Sequence, residues 1–236
     1  MEKGFGDIKI MCVISCGLTK DYGVITADSA LWNPNDKSIS FDVPKLIKAG
    51  NRHLVTYVGS QLFFTNLDIE KLKMPFDSLS VYLSEYLREI NRSVQETFNG
   101  LVKEEKERPA KLCLFLLGVH GGKPVLAQFN SFLDFKPQFL WSEDGPKFAT
   151  IYYGEDDPEK SEIFKKSTTF MEEKAKEYKD KLSPGLMGEI LVRGSYYKAD
   201  LEEQVGDKIK YAGGVVSVAR IHSDGRICPM SNVINI

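Results

Sequence analysis

The chain has 236 residues, of which 42% are hydrophobic and 27% charged, with a formal net charge of -2 and four cysteines. That length and balance suit one large globular domain with a sizeable core. They give no electrostatic ground for binding nucleic acid or an anionic membrane, and the cysteines are too sparse for a disulfide-stapled secreted scaffold. No apolar stretch approaches the roughly 18 residues of a membrane span. Segment 1–11 lacks the basic start and long apolar core of a signal peptide, so a cytoplasmic protein is expected.

The first sixty residues read as strands. Segment 8–18 is apolar and β-favouring, 19–23 is a turn, and 24–30 completes a hairpin. Segment 32–37 carries Asn-Pro-Asn-Asp and reads as a loop. Segments 45–49 and 54–58 are two further strands joined by Gly50-Asn51-Arg52-His53. The pattern then turns helical, first over 61–72 and again after Met74-Pro75. There Leu79, Leu83, Tyr86, Leu87, Ile90, Val94 and Phe98 recur at three- and four-residue spacing and form one stripe. Pro75 suits a helix start, where its missing N–H has no partner to lose. The charge run 103–108 is an exposed connection.

Strands return with 112–119, a continuous apolar run of the kind covered on both faces. A turn at His120-Gly121-Gly122-Lys123 leads into 124–130, and 135–141 and 148–153 are also strand-like. Asp157-Pro158 and Ser183-Pro184 each open a helix, the first residue as N-cap and the proline at the first position. The glutamate- and lysine-rich stretch 172–181 is a solvated helix face. A last hairpin runs through 215–222, turns at Ser223-Asp224-Gly225 and continues from Arg226. A sheet backed by helices on one side must still bury its other face. Two stacked sheets between two helix pairs meet that need, so the expected fold class is α/β (α+β), a four-layer αββα sandwich forming one domain over 1–236.

The segments CVISCGLTKDYGVITADSA, FDVPKLIKAG and HLVTYVGS carry a more specific signal. Together with the helix opening KMPFDSLSVYLSEYL, they resemble β-type proteasome subunits and the proteasome-like peptidases of the N-terminal-nucleophile hydrolase family. The resemblance places Cys12 at the family's nucleophile position, Asp28 at the end of the second strand, Lys45 in the following strand and Gly59 after the next. It implies hydrolysis of peptide amide bonds by a first residue exposed when segment 1–11 is removed as a propeptide. In such chemistry the free α-amine, with a pKa near 8, serves as base. A lysine ammonium lowers the nucleophile's pKa, an aspartate holds the lysine, and a backbone N–H stabilises the oxyanion. On this chain the resemblance gives those parts to Lys45, Asp28 and Gly59, with Cys12 as a competent thiol nucleophile.

The match departs from the family at three places. Met11 stands where glycine usually precedes the cleaved bond, Glu155 follows Gly154 in place of serine, and Ala212 precedes Gly213-Gly214 in place of serine. Asp200 and Asp207 both fit the family's second aspartate. Two readings therefore stand: a peptidase or amidase subunit, and a non-catalytic ring or scaffold subunit in which Asp28 and Lys45 form a structural ion pair and Gly59 a tight turn. The resemblance implies a peptide or protein substrate, a homo-oligomer or assembly with related subunits, and an ATPase or other regulator as partner. The segment after Gly59 is short and charged for a helix that packs between subunits. Cys12-x3-Cys16 is not a metal spacing, Gly121-Gly122-Lys123 is not a phosphate loop, and His53, His120 and His222 read as surface residues. No metal or cofactor is expected.

Overall fold

The computed structural model describes residues 14–29, 31–33, 38–40, 45–58, 67–68, 70–101, 112–151, 158–178, 181–204 and 215–235. Among them are two five-stranded antiparallel sheets, a two-stranded ribbon and three α-helices. The first sheet has the order β10-β1-β2-β11-β12, from β1 (Ile14–Leu18), β2 (Tyr22–Ala27), β10 (Lys147–Ile151), β11 (Val215–His222) and β12 (Ile227–Asn235). The second has the order β5-β6-β7-β8-β9, from β5 (Ile47–Ala49), β6 (His53–Val58), β7 (Cys113–His120), β8 (Lys123–Asn130) and β9 (Gln138–Trp141). The ribbon joins β3 (Leu31–Asn33) to β4 (Ser38–Ser40).

Strand alternation sorts the apolar residues into three interiors. Ile14, Cys16, Leu18, Ile25 and Ala27 of the first sheet meet Leu54, Val58, Phe115, Leu117 and Leu126 of the second in one buried cluster. The opposite faces are covered by helices. On the second sheet, Val55, Tyr57, Leu114, Leu116 and Ala127 pack against Phe76, Leu79, Leu83 and Leu87 of α1 (Phe76–Leu101). On the first, Val24, Phe148 and Val218 pack against α2 (Pro158–Tyr178) and α3 (Pro184–Gln204). β7 explains its continuous apolar run: Leu114 and Leu116 face the helix while Phe115 and Leu117 face the other sheet.

The helix starts follow the sequence signals. The Pro75 carbonyl accepts the first bond of α1, from the Leu79 N–H at 2.9 Å. Ser183 Oγ accepts from the Leu186 N–H at 3.3 Å and caps α3. Asp157 lies outside the described residues, as do the side chains of Val94 and Phe98 in the α1 stripe. In the 172–181 stretch, Glu172, Glu173, Lys176 and Glu177 are exposed while Ala175 is buried.

Several boundaries move. The first turn closes two residues early, because Thr19 holds Tyr22 by backbone and hydroxyl bonds of 2.8 and 3.1 Å. Tyr22 and Gly23 therefore belong to β2. Trp32 and Asn33, within the segment read as a loop, pair with Ile39 and Ser38 in a ribbon; 34–37 lie outside the described residues. Of the helix expected over 61–72, the described residues hold only a 3-10 turn at Lys71–Lys73. The second sheet thus carries one described helix where two were expected. The strand expected from Phe135 begins at Gln138. Asp134 and Phe135 are left-handed, with φ of 51° and 54°. They are held there by Ser84 Oγ donating to the Phe135 carbonyl at 2.8 Å and Arg88 Nε donating to the Asp134 carbonyl at 2.7 Å. Segments 8–13, 30, 103–108 and 152–153 lie outside the described residues. Among the described residues no helix is long and apolar enough to cross a membrane.

Candidate functional site

Asp28 comes directly after β2, a strand buried along its whole length. Lys45 comes two residues before β5. The first continues from a strand of one sheet and the second leads into a strand of the other, and Lys45 Nζ donates to Asp28 Oδ1 at 3.0 Å. Their side chains are 0% and 2% exposed. Lys45 is among the largest fully buried side chains of the described chain. An ammonium and a carboxylate withdrawn from water each cost several kcal/mol, and only close mutual contact with further hydrogen bonding offsets that. The chain thus ties the end of β2 to the approach of β5 with a charged contact where an apolar one is cheaper.

The register shows what else converges here. Ile14, the first residue of β1, pairs with Ala27 on one side and Ile151 on the other, and Ala27 pairs in turn with Ser217. The start of β1, the ends of β2 and β10 and the start of β11 therefore share one edge of the first sheet. In sequence, Cys12 precedes Ile14 by two residues and Gly59 follows Val58, the last residue of β6. Cys12 and Gly59 lie outside the described residues, as do Met11, Glu155, Asp207 and Ala212. Asp200 is in α3, but its side chain is not described. Of the expected site, the structure brings together Asp28 and Lys45.

A second buried polar group, which the sequence reading did not single out, lies on the helix-backed face of the same sheet. Ser15 Oγ is 3.3 Å from both Thr150 Oγ1 and Ser195 Oγ. Ser195 Oγ donates to the Leu191 carbonyl one turn back, at 3.0 Å. A hydroxyl has one proton, so Ser15 donates to Ser195 and accepts from Thr150. Thr26 Oγ1 also donates to the Ser15 carbonyl, at 3.4 Å. The signal for this group was present: Ser15 alternates with Ile14 and Cys16, so it must face away from the sheet–sheet interior.

The remaining candidate nucleophiles and bases are placed plainly. Cys16 is fully buried in the sheet–sheet cluster, and burial pushes its thiol well above the ordinary range, which keeps it protonated and inert. His53, read as a surface residue, is buried beside α1. Its Nε2 lies 2.9 Å from the Met74 carbonyl and its ring is 6.1 Å from that of Phe76. Burial lowers its pKa, with a smaller push from Arg52 in the same direction. His120 is exposed and pairs with Asp77 at 3.0 Å. No group of three or more His, Cys, Asp or Glu side chains among the described residues could hold a metal ion. The chain matches no protein-family model, and no curated protein matches it in sequence.

Proposed function

We propose that this chain is a proteasome-like N-terminal-nucleophile hydrolase subunit with the four-layer αββα arrangement, cleaving peptide amide bonds. The observation that carries the reading is the buried Asp28–Lys45 pair joining the two sheets at 3.0 Å. It matches the charge pair that the sequence resemblance assigns, and it is costly to keep without a use. The three interiors, helix on sheet, sheet on sheet and sheet on helices, are the interiors an αββα sandwich requires. The adjacency of Cys12 to Ile14, whose β-partner Ala27 precedes Asp28, supports Cys12 as the attacking group.

In this mechanism Cys12, once it is the first residue, attacks the substrate carbonyl through sulfur. Its own α-amine takes the thiol proton and passes it to the leaving amine. The Lys45 ammonium, fixed by Asp28, favours the thiolate. The Gly59 N–H donates to the oxyanion, and water then cleaves the thioester. The intact mass of the purified protein tests this. Loss of the first eleven residues, with an amide-directed electrophile labelling Cys12 faster than Cys16, is the expected result. A full-length chain that starts at Met1 and leaves Cys12 unlabelled overturns it.

The non-catalytic scaffold remains the second reading. Met11, Glu155 and Ala212 favour it, standing where the family has glycine and two serines. The complete enclosure of the Lys45 side chain also fits a structural pair.

A further inference from the structure

Among the described residues β9 is the edge strand of the second sheet and pairs with β8 alone, from Val125 opposite Trp141 to Gln128 opposite Gln138. Its sequence is Gln-Phe-Leu-Trp. Edge strands in monomers are usually blunted by charge, proline or a bulge. β9 contains no charged residue and no proline, and its register with β8 is unbroken. Phe139 and Trp141 project from the same side of the pleat and are 47% and 48% exposed. Leu140 projects to the other side, against the sheet–sheet interior. The ring of Phe76, at the start of α1, reaches Phe139 at a centroid distance of 6.2 Å.

We infer that this edge docks a second copy of the chain, β9 against β9 in antiparallel register about a two-fold axis. The sequence is self-complementary in that arrangement. With Leu140 opposite its symmetry mate, Phe139 faces the partner copy's Trp141 and Trp141 faces the partner copy's Phe139, two cross-strand aromatic pairs. The flanking charges agree. Lys136 lies before the strand and Glu143 and Asp144 after it, all exposed. Antiparallel pairing sets each Lys136 beside the opposite copy's acidic pair, whereas parallel pairing sets like against like. The area is also adequate. Aromatic side chains carry on the order of 200 Å² each, so two half-exposed rings, with the exposed Phe132 and Leu133 in the connection leading to β9, offer roughly 400 Å² of apolar surface. At the usual apolar share of a little over half, that corresponds to a contact of about 700 Å² per partner, near the size of a standard interface. The inference rests on the edge strand alone and is independent of the hydrolase reading.

Sedimentation velocity of the full chain between about 1 and 100 µM tests it. The wild type is expected to form a species twice the 26.6 kDa chain mass, or larger, within that range. Trp141→Glu should raise the concentration for half-association at least tenfold with an unchanged circular dichroism spectrum. Lys136→Glu should weaken association, and adding Glu143→Lys with Asp144→Lys should restore it. A wild-type monomer at 100 µM, association indifferent to Trp141→Glu, or no recovery in the charge-swapped variant would each overturn the inference.

Discussion

The two faces of the first sheet bury polar groups in opposite ways. Toward the second sheet the interior is mostly hydrocarbon, with the Thr56 hydroxyl buried in it and a full-charge contact between Asp28 and Lys45 near its edge. Toward α2 and α3 the buried polar side chains are mostly hydroxyls: Ser15, Thr26, Thr150 and Ser195, with Ser167 Oγ donating to the Gly194 carbonyl at 2.9 Å between the two helices, while Arg220, opposite Val24, buries its Nε on the same face without an ion pair across the layers among the described residues. Each of these hydroxyls has a hydrogen-bond partner on a neighbouring strand, its own helix or the adjacent helix. Such groups exchange water for a nearby acceptor at little net change, so a sequence can accumulate them at neutral cost. An ion pair spanning two sheets cannot be acquired one residue at a time without stranding a charge. The contrast separates packing chemistry from a contact that demands a reason.

The largest expected effect follows from that asymmetry. Lys45→Met should destabilise the fold by about 3–5 kcal/mol, because it removes the cation held 3.0 Å from a buried carboxylate, Asp28. Lys45→Met combined with Asp28→Leu should recover most of the loss. Urea denaturation of the two variants measures both. A single variant within 1 kcal/mol of wild type, on the same scale, would mean that the pair is not a buried contact and would break the comparison.

The helix-backed face is more sensitive to shape. A Cβ at Gly17 would lie 2.4 Å from the sulfur of Met187, which is itself fully buried. Gly17→Ala is therefore expected to cost about 1–3 kcal/mol. Met187→Ala in the Gly17→Ala background should cost less than Met187→Ala alone, which a double-mutant cycle reads directly.

Two hydroxyl deletions of opposite sign sharpen the same contrast. Thr56 shares the sheet–sheet face of β6 with Leu54 and Val58, and its Oγ1 is buried with no hydrogen-bond partner. Thr56→Val should stabilise by up to about 1 kcal/mol, since it removes an unsatisfied group without changing shape. Ser15→Ala should destabilise by about 1 kcal/mol, since it breaks a satisfied relay. Thermal melts of the two variants should move in opposite directions.

The smallest effect concerns His53, in the interior between the second sheet and α1. Its folded pKa is depressed, chiefly by burial, so between that value and the ordinary 6.5 the unfolded chain binds the extra proton. Stability from the neutral ring is then fully present above about pH 6.5 and falls as the pH drops below it. His53→Gln should flatten the denaturation free energy against pH over that acidic range. His222, also depressed by burial, leaves a residual slope of the same sign.

Much of this architecture is visible in the chain itself. Period-two alternation in β1 and β2, the double-faced run of β7 and the three- and four-residue stripe of α1 are local consequences of which side chains must leave water. The prolines and Ser183 mark helix starts because capping is chemistry between near neighbours. The partnership of Asp28 and Lys45 came from resemblance, since nothing local joins two residues seventeen positions apart. Their burial, and the bridging of two sheets, needed the stacking itself. The same holds for what pattern misplaced. Asp134 and Phe135 are non-glycine residues in left-handed conformation, a state that propensity disfavours and that Ser84 and Arg88 of α1 impose from about fifty residues away. His53 read as a turn residue until α1 closed over it. Local sequence decides what each segment prefers to be. Only the assembled layers decide which polar groups lose their water, because burial is a property of the neighbours and not of the residue.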